Sequence, residues 1–328
     1  MPNAADIFQA LADSTRLRII ALLRAMELSV GELAQVLGQS QPRVSRHVKI
    51  LCDSGLAERR KEGSWVFVAM GRNDAVPAIL NALDALSEAS GGDHWAVADS
   101  ARLAAVRADR AAAAAEWFEA NAGQWDAIRS LHVADSEVEA AMARVLGGQP
   151  IGQLIDIGTG TGRMLELFAP QSERALGIDR SSEMLRLARV KLAERGLGNA
   201  ELRQADLYAL PLGDGAADVA ILHHVLHFAQ QPGAAIAEAA RALGNGGRLL
   251  IADFAPHERE ELRTRDNHAR LGFSDEQMLG WFDTVGLAPV QTAMLEGGEL
   301  TVKLWLARKV AEGDRADRHP RDLEVKAA

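Results

Sequence analysis

The first seventy residues carry short apolar stripes at helical spacing, separated by polar breaks. The stripe is first interrupted at Asp13-Ser14-Thr15, whose side chains suit the cap of a second helix. A third helix is expected after Ser29 and ends at Gly38, and a fourth runs from Gln41 to Ser54 with a proline in its first turn. The apolar positions of the first two helices are Ile7, Leu11, Leu17, Ile20 and Leu23.

The fourth helix has one apolar and one polar face. Val44, Val48 and Leu51 follow each other at i, i+4 and i+7 and therefore share a face. Two short helices joined by a tight glycine turn, the second polar and basic outside, match the helix-turn-helix arrangement. The residues expected opposite the apolar face, and hence toward DNA, are Gln41, Arg43, Ser45, Arg46 and Lys49.

A two-stranded hairpin is predicted after this helix, from Leu56–Lys61 and Trp65–Ala69 around a glycine. Arg59, Arg60 and Lys61 lie on it. A basic run by itself is usually solvated surface, but a complete helix-turn-helix followed by such a wing favours DNA binding.

Residues 7–70 resemble the ArsR/SmtB winged-helix repressors, in the strings ALADSTRLRIIALL, SVGELAQVLGQSQPRVSRHVKIL and SGLAERRKEGSWVFV. The resemblance implies Arg43, Ser45 and Arg46 near bases or phosphates, the wing on the flanking backbone, and a homodimer on a two-fold operator. Metal-sensing members carry a cysteine pair in the third helix, where this chain has Ser29 and Gly31. Metal sensing at that position is therefore not expected.

Two helical segments are predicted in the middle of the chain. An apolar stripe that ends at Ser90-Gly91-Gly92 resembles the dimerisation helix of the same family, and the Ala/Arg-rich Asp99–Asn121 is interpreted as a connector. A further helix is expected over Asp135–Leu146. The stripe consists of Val76, Ile79, Leu80, Leu83 and Leu86.

From Leu154 onward, short apolar runs alternate with helical ones, which is typical of a doubly wound parallel sheet. Two β-rich runs around Gly297-Gly298 read as a closing hairpin. The seven expected strands are Gln153–Ile157, Arg174–Ile178, Ala200–Ala205, Asp218–Leu222, Arg248–Ala252, Ala288–Met294 and Leu300–Ala307.

A glycine turn and three acids follow the first three of these strands. The turn Gly158-x-Gly160-x-Gly162 lacks the later glycine of the dinucleotide fingerprint, because residue 163 is arginine. Asp156 ends the first strand and is expected to orient the loop or a ligand amino group. Asp179 ends the second and suits two ribose hydroxyls, and Asp206 follows the third and suits an adenine amino group. Acids at the carboxyl ends of parallel strands converge on one crevice.

Residues 154–307 resemble the class I S-adenosylmethionine-dependent methyltransferases, in LIDIGTGTGRMLE, ALGIDRS and LRQADLYALPL. The resemblance implies a seven-stranded Rossmann-like sheet and a site for S-adenosylmethionine or S-adenosylhomocysteine. Gly158, Gly160 and Gly162 would lie under the methionine portion, Asp179 would hold ribose, and Asp206 with Leu207 would frame adenine. The segment 117–126 resembles the lid over this ligand, with Trp125 as its contact.

No catalytic set is evident near the expected crevice, and methyl transfer often needs none, since it depends on alignment and desolvation. The pair His224/His227 has metal-ligand spacing, but no carboxylate cluster accompanies it in the sequence, so packing or capping is favoured and no metal is expected. Other candidates at the mouth are His223, Asp253, His257 and His268.

Composition limits the classes of protein that remain. The net charge of −9 divides into +2 for residues 1–70 and −11 for the remainder, so only one end is suited to a polyanion. The single cysteine, Cys52, excludes a disulfide framework and the thiol set that an arsenic methyltransferase needs. No signal peptide or membrane-spanning stretch is evident, so a cytoplasmic protein without a membrane partner is expected.

The sequence thus predicts a mainly α winged-helix domain (1–72), a helical linker and lid (73–150), an α/β methyltransferase-like domain (151–310) and a disordered tail (311–328). The favoured function is a transcriptional regulator that binds double-stranded operator DNA and senses the adenosyl ligand. The alternatives are an active small-molecule methyltransferase with a regulatory DNA-binding domain, or an enzyme whose winged helix only dimerises.

Overall fold

The computed structural model describes residues 4–62, 65–71, 73, 75–89, 95–124, 134–296 and 299–311. The chain divides into two compact units whose sequence boundary falls between Ala114 and Ala115, with Glu258–Glu261 belonging to the first. The predicted domain limits at 72, 150 and 310 stay predictions, and most of the predicted tail lies outside the described residues.

The N-terminal unit is a small helical domain with a three-stranded sheet of order β1-β3-β2. The expected helices and hairpin are confirmed, and a two-residue strand, β1, adds to the edge of β3. The helices are α1 Ala4–Leu11, α2 Ser14–Ala25, α3 Val30–Leu37, α4 Gln41–Asp53 and α5 Ala75–Ala89, and the strands are β1 Leu28–Ser29, β2 Ala57–Glu62 and β3 Trp65–Met70.

Local caps fix where the helices of this unit begin and end. The Asp13 carboxylate accepts a hydrogen bond from the Arg16 N–H at 3.1 Å and caps α2. Ser29 and Glu32 form a capping box at the start of α3. The same helix ends at Gly38 in the left-handed conformation, which turns the chain into α4.

Helix α6, Ala96–Asn121, contributes residues to both units. In the N-terminal unit its Leu103 and Val106 are buried in the core, and its Asp99 forms a bidentate ion pair with Arg18, with both N···O distances 2.7 Å. Within the ranges described, no helix is both long and apolar enough to cross a bilayer.

The C-terminal unit is built on a seven-stranded sheet of order β6-β5-β4-β7-β8-β10-β9, in which β10 runs antiparallel to the other six strands. All seven predicted strands are confirmed, although β8 is longer than expected. The strands are β4 Gln153–Ile157, β5 Arg174–Asp179, β6 Ala200–Gln204, β7 Ala217–His223, β8 Leu243–Phe254, β9 Leu287–Leu295 and β10 Val302–Lys309.

Helices cover both faces of this sheet, and the central strands β4, β7, β8 and β10 are mostly buried between them, whereas the edge strands β6 and β9 are largely exposed. This is the doubly wound arrangement of three layers around a parallel sheet. Because β4, β5, β6, β7 and β8 are parallel, their carboxyl ends lie along one edge. The helices are α7 Asp135–Leu146, α8 Arg163–Phe168, α9 Ser182–Glu194, α10 Pro232–Ala242, α11 Glu261–Arg265 and α12 Asp275–Thr284.

Candidate functional site

Helix α4 has the two faces that its sequence predicts. Val44, Val48 and Leu51 are buried in the core of the N-terminal unit. Lys49 forms an ion pair with Asp53, one turn further on, with a distance of 2.6 Å between the charged atoms. The predicted DNA-contacting residues on the opposite face are all exposed: Gln41, Arg43, Ser45, Arg46 and Lys49.

The three basic residues of the hairpin do not share one face. Arg59 and Lys61 are exposed, whereas Arg60, which lies between them in sequence, is half-buried. The difference arises because successive side chains of a strand point to opposite sides. The Arg60 guanidinium pairs with Glu27 at 3.0 Å and Glu62 at 2.5 Å. This placement does not favour the predicted DNA contact of Arg60, whose charge is already used within the domain.

The glycine turn lies where β4 passes into α8. The N–H groups of Gly158 and Thr159 both donate to the Ile178 carbonyl at 2.8 Å, which ties the turn to the neighbouring strand β5. Gly158 has φ 74°, and a Cβ there would lie 2.6 Å from a methyl carbon of Val225. Glycine is therefore required at this position for its backbone conformation and for the close approach of Val225.

Asp179, the last residue of β5, meets the glycine turn directly. Its carboxylate accepts hydrogen bonds from the Gly160 N–H at 2.9 Å and from the Ser181 N–H at 2.8 Å. Burial raises the pKa of Asp179, and the N–H groups around it oppose that effect. A carboxylate has about four lone-pair positions, so it retains acceptor capacity for a ligand.

The other two predicted acids differ in exposure. Asp156 is fully buried under the turn, and its carboxylate accepts a hydrogen bond from the Thr159 hydroxyl at 2.5 Å, which favours the loop-orienting role over a ligand contact. Asp206 is exposed beyond the end of β6, where it accepts from the Tyr208 N–H at 3.0 Å. Leu207 between them in the turn is half-buried against the core.

The predicted lid contact, Trp125, lies outside the described residues. The segment before it is described and packs on the C-terminal unit: Trp117 and Phe118 contact Phe228, with ring centroids 6.0 and 4.8 Å apart. Ala122 is buried with Met184 at the start of α9. Helix α6 therefore ends against Met184, five residues after Asp179, and against Phe228, three residues after the Val225 that packs on the glycine turn.

A cluster of four buried histidines, His223, His224, His227 and His268, lies with Asp253 at the carboxyl ends of β7 and β8. His227 Nδ1 lies 2.8 Å from an Asp253 carboxylate oxygen, and the His268 ring centroid lies 4.4 Å from that of His227. Burial raises the pKa of Asp253 to about 6. The sequence named each of these residues as a candidate but gave no sign that Asp253 joins the histidines, because a strand order is needed to bring them together.

The structure thus brings Asp156, Asp179, Asp206 and the glycine turn to one edge of the sheet, as the parallel topology requires. Val225, which packs on Gly158, connects this edge to the histidine cluster.

Comparison with known proteins gives the family of the N-terminal unit. The family described as "bacterial regulatory protein, arsR family" matches residues 13–59. An arsenic resistance transcriptional regulator of Pseudomonas putida is 37% identical over 100 residues, which cover 30% of this chain and 75% of the regulator. The chain belongs to the arsR family. The resemblance predicted from the helix-turn-helix and wing is confirmed.

The C-terminal unit of this arsR-family protein matches a second family, described as "methyltransferase domain", over residues 155–251. A demethylmenaquinone methyltransferase of Thermus thermophilus is 40% identical over 108 residues, which cover 32% of this chain and 48% of that enzyme. A chain in the solved complex of a Haloferax volcanii methyltransferase with its activator superposes with a TM-score of 0.51 at 18% identity, covering 60% of this chain and 98% of that one. This likeness confirms the class I methyltransferase fold.

The first curated relatives are matched only in part. The arsR-family chain covers 42%, 53% and 34% of the lengths of three of them.

Proposed function

We propose that this protein is a transcriptional regulator that binds operator DNA through its N-terminal unit and senses S-adenosylmethionine or S-adenosylhomocysteine through its C-terminal unit. The observation that carries the ligand assignment is the hydrogen bond from the Gly160 N–H to the Asp179 carboxylate. It joins the glycine turn and the acid of the next strand at the carboxyl edge of a parallel sheet, where ligands of such sheets bind.

The adenosyl ligand fits the chemistry of this edge. The two hydroxyls of its ribose are donors, and Asp179 is an acceptor of limited exposure. Asp206 is a second acceptor, exposed to solvent, and suits the adenine amino group. Leu207 would pack against the base. Neither ligand has a phosphate, so no arginine or lysine is needed at the turn. The acids also favour the positive charge of the sulfonium in S-adenosylmethionine.

The DNA assignment rests on the exposed face of α4. Arg43 and Arg46 project from a helix whose opposite face is buried, the geometry in which a recognition helix enters the major groove. Arg59 and Lys61 of the hairpin are exposed and are assigned to the flanking phosphates, in preference to Arg60. A homodimer is proposed through α5, where Leu86 is 66% exposed on an apolar stripe.

The experiment is a DNA titration with and without each ligand. Duplexes selected by the protein from a randomised pool are labelled, and fluorescence anisotropy gives the affinity alone, with S-adenosylmethionine, and with S-adenosylhomocysteine. We expect one ligand to change DNA affinity at least about fivefold, because allosteric coupling typically amounts to 1–3 kcal/mol. Methionine, which lacks the adenosyl group, is the control ligand. Equal affinities in all titrations would remove the sensor function.

A second function, methyl transfer to a small molecule, is favoured by one observation. Val225 packs on Gly158 and leads directly into the histidine cluster, which places polar groups beside the turn that would underlie the methionine portion. The test is formation of S-adenosylhomocysteine from S-adenosylmethionine with a panel of quinol, phenol and amine acceptors, chosen because one relative is a demethylmenaquinone methyltransferase. No turnover with any acceptor would leave the sensor as the function.

A further inference from the structure

Two histidines and one carboxylate come together at the ends of β7 and β8. We propose that His224, His227 and Asp253 form a binding site for a divalent transition-metal ion. This inference goes beyond the proposed function and does not depend on it, since none of the three residues belongs to the adenosyl site. It also departs from the sequence expectation of no metal, which rested on the lack of a carboxylate beside the histidine pair.

Neighbouring strands in the parallel sheet place the three residues. His223 of β7 pairs in register with Ala252 of β8, so the next residue along each chain, His224 and Asp253, lies at the same level. The His224 N–H donates to the Ala252 carbonyl at 2.8 Å, which extends this pairing by one bond. A 3₁₀ turn that begins at Leu226 then brings His227 back toward Asp253.

The distances are those of a site that is nearly formed. One ligand atom from each residue lies within 4.8 Å of the other two, and all three residues are buried. Metal–ligand bonds to imidazole and carboxylate are about 2.1 Å, so two ligands of a tetrahedral ion are about 3.4 Å apart. Side-chain movements of at most about 1.4 Å therefore close the site around an ion.

The donor set favours one class of metal. Two imidazoles and one carboxylate suit zinc or ferrous iron, whereas calcium and magnesium prefer oxygen ligands alone. The carboxylate is held in place, because one Asp253 oxygen accepts from the Leu226 N–H at 2.9 Å and the other from the Phe254 N–H at 2.8 Å. Such partners orient a metal ligand and raise affinity.

The competing interpretation is a packed His227–Asp253 pair without metal, which their 2.8 Å contact already permits. In that interpretation His224 only packs against His223 and Phe254, with ring centroids 4.6 and 4.9 Å apart, whereas a metal site requires its imidazole nitrogen. His224 has a left-handed backbone, with φ 53°, which asparagine also adopts readily. His224→Asn therefore keeps the backbone and the polarity but removes the imidazole ligand, and it separates the two interpretations.

The experiment is metal binding by the full chain without a histidine tag, after treatment with a chelator. Zinc is titrated in competition with a chromophoric chelator, and cobalt is added separately to record its visible absorption. We expect one ion of either metal per chain, visible cobalt bands typical of low coordination number, and at least a hundredfold weaker zinc binding in His224→Asn. Asp253→Asn, which retains one acceptor oxygen for the Leu226 N–H, should weaken zinc binding similarly.

The matched control is His47→Ala, which removes an imidazole from the other unit and should leave zinc binding unchanged. Circular dichroism checks that each variant is folded, and calorimetric titration with S-adenosylhomocysteine checks the adenosyl site independently. A chain that retains no zinc or cobalt, or a His224→Asn variant with unaltered zinc affinity, overturns the metal site whatever the adenosyl result.

Discussion

The two units position their functional side chains in different ways. In the N-terminal unit the proposed DNA contacts of α4 lie within nine consecutive residues, and the period of a single helix turns them outward. In the C-terminal unit the proposed ligand contacts come from the turn after β4 and from the ends of β5 and β6, and Gly158 and Asp206 are 48 residues apart in sequence. One surface is a local property of a helix, and the other exists only when a sheet has formed.

This difference teaches where each site is vulnerable. The exposed arginines of α4 contribute little to the stability of the fold. Removing them should therefore change DNA affinity and its salt dependence without changing the free energy of unfolding. The turn and acids of the sheet edge are embedded in packing and hydrogen bonds, so changes there should affect both stability and ligand binding.

The largest effect is expected on stability, and it is the difference between alanine substitutions at two glycines with the same backbone conformation but different surroundings. Gly158 and Gly38 have φ of 74° and 65°, but an added Cβ meets Val225 at the first and nothing within 4 Å at the second. Gly38→Ala should cost about 1 kcal/mol, for the left-handed backbone alone. Gly158→Ala should cost about 3 kcal/mol, because overpacking adds to it. Native-state hydrogen exchange measures each unit separately; equal costs would show that the turn relaxes freely.

The next effect concerns the carboxylate of β5. Asp179→Ala should weaken adenosyl binding at least about a hundredfold, because it removes the ribose acceptor and the anchor of the Gly160 N–H. Calorimetric titration with S-adenosylhomocysteine gives the affinity. The matched control is Glu173→Ala, an exposed acid just before the opposite end of the same strand. If both variants bind as the unmodified chain does, the ligand does not occupy this edge.

A smaller effect is expected on the DNA side. Arg43→Ala combined with Arg46→Ala should lower DNA affinity about thirtyfold and reduce its salt dependence, because two cations leave the interface. Adenosyl affinity and unfolding should be unchanged. Arg60→Ala is the contrasting variant: its charge is paired with Glu27 and Glu62, so it should change DNA affinity much less. A reversed order of the two effects would place the DNA on another face of the unit.

Most helices of the N-terminal unit could be predicted from the sequence, because helical periodicity and helix caps depend on residues close together in the chain. The bounds of α3 and α4 follow from Ser29, Gly38 and the proline after Gln41, whereas β1 was missed because its two residues pair with β3 far along the chain. The face of Arg60 was within reach of sequence reasoning, since strand alternation separates it from Arg59, but its partner Glu27 is non-local.

In the C-terminal unit, strand ends and the glycine turn were predictable because apolar runs mark buried parallel strands. The order of those strands is not written in any local pattern, and it is the order that places Asp253 beside His227. Similarly, the sequence left Asp156 with two roles, and only the burial of its carboxylate beside Thr159 favours one of them.

The smallest effect is the pH dependence of adenosyl binding by the C-terminal unit. Burial raises the pKa of Asp179, so the folded ligand-free unit binds this proton more tightly than the unfolded chain does. The stability that Asp179 contributes is therefore present below its unfolded pKa and is lost as pH rises through its raised folded pKa.

Ribose hydroxyls need the ionised carboxylate, so adenosyl affinity should rise over the same interval, by at most about tenfold per pH unit for one proton. Calorimetric titrations across this interval should show the rise in the unmodified chain and its loss in Asp179→Asn, which has no carboxyl proton; a rise that persists in the asparagine variant would assign the titration to another group.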